Sequence, residues 1–237
     1  LADEVVDGVA RDYGLTDDQV IRAIETLEDE TYRAMELGYS TNLIVHAFAS
    51  TARSCNIGVD LVRPFFRSMR MDTQRSEHTQ VSFQRYVYGS AEVVGLMCLR
   101  TFFAGEPLTA EQDAEFVKGA RALGAAFQKV NFLRDIAADV DGLGRHYFPG
   151  VNFDDLNDET KLQLVADIDA ELAVAAAMIP LLPAGSRRAV WLAAALFTEL
   201  NRRIERTPAT VLKNRRISVP NRIKARLYFT ARFGGLA

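Results

Sequence analysis

The sequence predicts an all-α protein, and three observations carry that prediction. Only seven prolines and fifteen glycines punctuate 237 residues, so long stretches run without a breaker. Apolar residues recur at helical spacing in most of those stretches. Short β-branched alternating runs closed by Asn-Gly or Asp-Gly turns, the signature of hairpins, are almost absent.

Taken in order, Thr16-Asp17-Asp18-Gln19 opens a helical pattern to about Leu37, with Ile21, Ile24, Leu27 and Tyr32 spaced for one face. Gly38–Asn42 breaks it, and a second helix is expected from about Asn42 to Cys55. Gly58–Arg63 reads as a turn, with Pro64 in the first turn of the next helix, where a missing N–H is tolerated. Ser82–Phe103 reads as one long, mostly buried helix, because its apolar residues go nearly all the way round. Ala110–Asp139 follows, then a long irregular stretch around Gly142–Asn157. Asp167–Leu182, Ser186–Ile204 and a basic helix from about Pro220 to Phe233 complete the chain. No 20–50-residue repeat and no linker composition is visible, so 1–237 reads as a single all-α domain.

Composition excludes several classes. The chain is 49% apolar and 25% charged, an ordinary globular balance. A net charge of −3 argues against a dedicated nucleic-acid binder. Cys55 and Cys98 form no CxxC pair, and the three histidines are scattered, so neither a zinc site nor a disulfide scaffold is indicated. The cysteine usage fits a cytoplasmic protein. The longest apolar run, Ala189–Phe197, has nine residues, well short of a membrane span. P-loop, GxGxxG and GxSxG patterns are absent. Charge is uneven: ten Lys and Arg face a single acid, Glu205, between Arg202 and Arg232. That segment is either a solvated face or a surface drawn to anionic headgroups or a polyanionic substrate, making the protein membrane-peripheral in the former case of attraction.

Two acidic patterns stand out. In Asp3-Glu4-Val5-Val6-Asp7, two carboxylates at i and i+4 share a helix face and repel, unless they are simply solvated acids at a helix start. Asn131, Asp135 and Asp139 fall at i, i+4 and i+8, each about 40° on from the last, in an otherwise apolar helix. Such a stripe either turns into a cavity, where its oxygens suit Mg²⁺ and a diphosphate, or forms a solvated edge on which Arg134 pairs with Asp139. Arg134 offers a fork of donors to phosphate.

Gly124–Asp139 with Gly144-Arg145-His146-Tyr147-Phe148-Pro149 resembles the second signature of the squalene/phytoene synthase family. Tyr86–Met97 is similar to that family's central helix, and Asp3–Asp7 to its first DxxxD motif. The resemblance implies an isoprenoid-synthase-type helical bundle with a central apolar cavity. It implies head-to-head condensation of two prenyl diphosphates, the two substrates being the expected partners. Asp3 and Asp7 on one side and Asn131, Asp135 and Asp139 on the other would hold Mg²⁺, with Mn²⁺ as a substitute. Asp135 and Asp139 would act in catalysis with Tyr88, whose ring face suits a carbocation. Gln128, Arg134 and Arg145 would bind substrate.

The sequence departs from that pattern in places. Ser90-Ala91-Glu92 stands where Val-Ala-Gly is usual, so Glu92 needs a partner in a buried helix. Ala138 replaces a common Glu, and Phe197 stands where many members have Tyr. The chain opens at Leu1 without Met, and further helices bearing diphosphate-binding arginines are expected upstream. The resemblance is closest to bacterial phytoene synthases, which use geranylgeranyl diphosphate and no NADPH. The rival readings are squalene or dehydrosqualene synthase acting on farnesyl diphosphate, a class I terpene cyclase, and an inactive helical partner protein.

Overall fold

The computed structural model describes residues 1–6, 8–74, 78–136, 147–151 and 155–234, and among these there is no strand. The chain divides into two compact units: Leu1–Arg75 with Gln84–Pro107, and Ser76–Phe83 with Leu108–Ala237.

The first unit holds α1 (Ala2–Val6), α2 (Val9–Asp12), α3 (Asp17–Leu37), α4 (Leu43–Ser54) and α5 (Val59–Gln74). α6 (Gln80–Val87) leads into it, and a π-helical turn at Tyr88–Glu92 and α7 (Val93–Phe102) follow. Thr16 starts α3 with a capping box: its hydroxyl accepts from the Gln19 N–H while the Gln19 side chain accepts from the Thr16 N–H. Gly38 ends it in the left-handed conformation (φ 79°), which glycine adopts without a Cβ clash. Asn42 caps α4 through the N–H groups of Ile44 and Val45. Val20, Ile24 and Ala34 of α3 are buried. So is Glu28, which ion-pairs with Arg70 of α5 and accepts a hydrogen bond from the Tyr32 hydroxyl at 2.6 Å. Burial holds the Tyr32 phenol above its ordinary pKa.

Two expectations change here. Pro64 lies inside α5 rather than in its first turn, so Gly58–Arg63 is largely helix. The missing N–H frees one carbonyl in the preceding turn, and the helix continues because packing outweighs that loss. The expected single helix over Ser82–Phe103 carries the π turn at Tyr88–Glu92, and α7 leaves Val94 and Cys98 exposed. At that turn the main chain of α5 comes very close: a methyl group on Gly89 would strike the Pro64 carbonyl and the Ser68 hydroxyl. Ser68 is fully buried and donates to the Tyr86 carbonyl at 3.0 Å.

The second unit is built from α8 (Ala110–Arg134), α9 (Asp158–Met178), α10 (Ala184–Arg206), α11 (Ala209–Leu212) and α12 (Asn221–Phe233). α9 packs along α8 and α10, and α12 lies on α10. α9 begins at Asp158, not near Asp167, because Asn157 caps it through the Thr160 N–H at 2.9 Å and Asp158 and Glu159 favour the positive helix end. Lys161 is 2% exposed. Its ammonium donates to Asp158 Oδ1 (2.8 Å), the Glu205 carbonyl (3.0 Å) and the Thr207 carbonyl (2.6 Å). Asp158 also accepts from the Ala209 N–H at 2.9 Å, so one charge pair joins the start of α9 to the end of α10 and the start of α11.

Lys161→Met is expected to lower stability by about 1–3 kcal/mol, measured by urea denaturation, because it takes a buried donor from the Glu205 and Thr207 carbonyls, while the largely exposed Asp158 carboxylate turns to water. Its hydrogen bond from Lys161 holds the Asp158 carboxyl below its ordinary pKa. The contribution of Asp158 is therefore fully present above the unfolded carboxylate pKa and fades as pH falls through the lower folded value. Asp158→Asn should flatten the acid side of a melting-temperature profile. Gly89→Ala should cost about 1–3 kcal/mol, because backbone atoms cannot step aside for the new methyl.

Candidate functional site

The C-terminal end of α8 carries the strongest candidate chemistry. Thr109 starts this helix with a capping box on Gln112, and its later turns bury Ala126, Val130, Phe132 and Leu133. α8 ends at Arg134 with Asp135 as its C-cap residue, the Asp135 N–H still bonded to the Asn131 carbonyl at 2.9 Å, and 137–139 of the expected helix lie outside the described residues. Helical carbonyls converge at that end, and a carboxylate there needs positive charge nearby. Two guanidiniums provide it. Arg134 binds Asp135 through both Nε (2.9 Å) and Nη2 (2.5 Å). Arg216, from the segment before α12, donates from Nε to Asp135 Oδ1 at 2.7 Å. Arg134 thus pairs with Asp135, while Asp139, its expected partner on a solvated edge, lies outside the described residues.

Asn131 lies one turn back. Its Oδ1 is buried and has no hydrogen-bond partner among the described residues. A buried amide oxygen left without a donor is costly, which fits an oxygen reserved for a ligand. An amide oxygen and, four positions on, the Asp135 carboxylate are hard oxygen donors of the kind Mg²⁺ takes when water and phosphate complete its shell. Among the described residues, no three His, Cys, Asp or Glu side chains gather to hold a metal. Gln128, three positions before Asn131, is half-buried on the same helix.

Arg216 also opens onto a cavity of about 400 Å³. Its wall includes Arg202, Arg203 and Arg206 of α10 together with Arg215 and Arg216, against one carboxylate, Glu199. Glu199 pairs with Arg203 at 2.8 Å and more loosely with Arg202 at 3.7 Å. Clustered guanidinium forks of this kind match the paired oxygens of phosphate groups.

Aromatic rings fix the far side of the second signature. Tyr147 stacks on Phe132 of α8, centroids 3.9 Å apart, and His78 stacks on Tyr147 at 6.1 Å. Phe148 meets Phe132 edge-on at 5.9 Å and Phe83 at 5.4 Å. Nearby, Phe127 stacks on Phe197 at 3.8 Å. Lys129 ion-pairs with Glu171 across α8 and α9.

In the first unit, Asp3 lies on α1 and is exposed, not enclosed. Tyr88 opens the π turn and is half-buried. π turns insert one residue into a helix and often mark functional positions. Ser90 Oγ, two residues on, is buried without a hydrogen-bond partner among the described residues. Glu92 is half-buried rather than fully enclosed. Asp7, Asp139 and Arg145 lie outside the described residues. The structure therefore brings together Asn131, Arg134 and Asp135, and adds Arg216. In the sequence Arg216 is one of a run of basic residues, and the Arg215-Arg216 pair in a short segment between helices is the available signal.

The family model for squalene/phytoene synthase matches residues 1–222. No curated protein matches the chain. Among solved structures, a squalene synthase (HpnC) from Alicyclobacillus acidocaldarius is similar, with TM-score 0.71 and 21% identity over 86% of this chain and 80% of that one. A dehydrosqualene synthase in complex with ligand gives TM-score 0.72 and 20% identity, over 98% of this chain and 82% of that one. At these identities the likeness shows the fold, an isoprenoid-synthase-type helical fold. The match over 222 residues shows more: the chain belongs to the squalene/phytoene synthase family, prenyltransferase-type enzymes that condense prenyl diphosphates head to head.

Proposed function

We propose that this enzyme joins two geranylgeranyl diphosphates to give phytoene. The end of α8 carries the reading: a buried Asn131 oxygen, without a hydrogen-bond partner among the described residues, one turn from a carboxylate that two guanidiniums already hold. We assign cation ligation to Asn131 and Asp135, and by their motifs to Asp139, Asp3 and Asp7. Bound Mg²⁺, or Mn²⁺ in its place, would neutralise charge on the departing diphosphate. Arg134 and Arg216 would take diphosphate oxygens through their forks, with Arg145 and Gln128 as further substrate contacts.

The C1–O bond of one substrate breaks and its electron pair leaves with diphosphate. The double bond of the second substrate attacks the allylic cation, and proton loss closes a cyclopropylcarbinyl diphosphate. A second ionisation and rearrangement, ended by proton loss, gives the hydrocarbon without a reductant. Tyr88 offers a ring face to the cation. Apolar walls must exclude water, which would quench it.

The similarity of Ser90–Leu99 to carotenoid-type bacterial members supports the C20 substrate. A second reading, squalene or dehydrosqualene formation from farnesyl diphosphate, is favoured by the names of the similar solved structures. Incubation with each diphosphate plus Mg²⁺, with the product identified by mass, decides. A C40 hydrocarbon is expected; a C30 product alone replaces phytoene with the second reading, and a cyclic product of unchanged carbon number overturns condensation.

Asn131→Leu separates site from scaffold. Removing an orphan buried oxygen should leave stability unchanged or raise it by up to about 1 kcal/mol in thermal melts. Turnover should fall on the order of a hundredfold or more. Asp135→Asn should likewise lose turnover with helix content intact by circular dichroism.

A further inference from the structure

We infer that the outer face of α12 docks on an anionic lipid surface. The helix sets Ile223, Leu227 and Ala231 inward, at i, i+4 and i+8, and α12 packs on α10. The opposite face carries Phe229 and Phe233, 58% and 71% exposed, with Tyr228 beside them at 55%. The described residues leave these rings open. Phe229 and Phe233 lie nearly parallel, 6.1 Å apart, and the Arg232 guanidinium sits 5.1 Å from the Phe233 centroid.

Charge identifies the occupant. Asn221–Phe233 contains no Asp or Glu, yet Arg222, Arg226 and Arg232 surround the aromatic stripe, in a chain whose net charge is −3. Aromatic rings on one helix face, rimmed by arginines, are the composition of helices that lie in the headgroup plane of a bilayer. A protein partner of matching chemistry would need an acidic rim around an aromatic-lined groove, whereas an anionic bilayer supplies both an apolar layer and negative headgroups at one depth. No described helix is long and apolar enough to cross a membrane, so contact through α12 is peripheral. The inference is independent of which prenyl diphosphate is used, though a hydrocarbon product gives such docking an evident use.

The test is co-sedimentation of the full chain with phosphatidylcholine vesicles, with and without about a third phosphatidylglycerol, in the absence of substrate and metal. Binding is expected only with the anionic lipid, falling steeply between about 0.05 M and 0.5 M salt. Phe229→Ser with Phe233→Ser should weaken it at least tenfold at an unchanged melting temperature. Arg222→Gln with Arg226→Gln should weaken it by roughly fivefold per charge removed. Equal binding to neutral vesicles, binding unmoved by both variants, or no binding overturns the inference. So does a dimer in sedimentation velocity that the Phe variant dissolves, since a second copy would then cover the face. Because no substrate is present, an active enzyme that ignores vesicles defeats this inference alone. A chain that binds them without turnover defeats only the proposed reaction.

Discussion

A carboxylate at the negative end of a long helix is unfavourable unless cations stand against it, and the candidate site is organised around that constraint. Asp135 ends α8 where unpaired carbonyls gather, and Arg134 and Arg216 hold it there. One of those guanidiniums is the immediate neighbour in sequence and the other arrives from 81 positions away. The same ion pair thus ties the segment ahead of α12 to α8 and places an arginine-lined cavity beside the acid. A site with paired charges before its ligand arrives has already met part of the cost of desolvating them.

The rest of the second unit keeps that geometry in place. Tyr147, stacked on Phe132, and Phe148, edge-on to it, hold the end of the second motif against α8. Lys161 fastens the starts and ends of three neighbouring helices through a single buried ammonium. Both devices use directional contacts rather than apolar area alone, and directional contacts fix register as well as proximity.

Much of this was legible in the sequence. Thr16 and Asn42 announce their helices by capping chemistry, and both helices are where the pattern puts them. The acidic and aromatic motifs of Gly124–Asp139 and Tyr86–Met97 carry the family resemblance on their own. What the periodicity misses is tertiary in origin. Pro64 reads as a helix start, but packing of α5 carries it into the interior. The Ser82–Phe103 pattern cannot disclose a π turn, which changes hydrogen-bond partners without changing composition. Asn157 is a cap at the head of α9 that periodicity does not reveal, because the apolar pattern strengthens only later. The role of Arg216 depends on a contact across the whole second unit, which no local window contains.

The crossing at Gly89 has an evolutionary corollary. Its closest neighbour is the main-chain carbonyl of Pro64, an atom present whatever residue occupies that position. Drift in side chains along α5 therefore cannot relieve the crowding, and the spacing there is effectively frozen. Any change in the chemistry of this crossing has to be made in the flanking side chains, Tyr88 and Ser90 first among them.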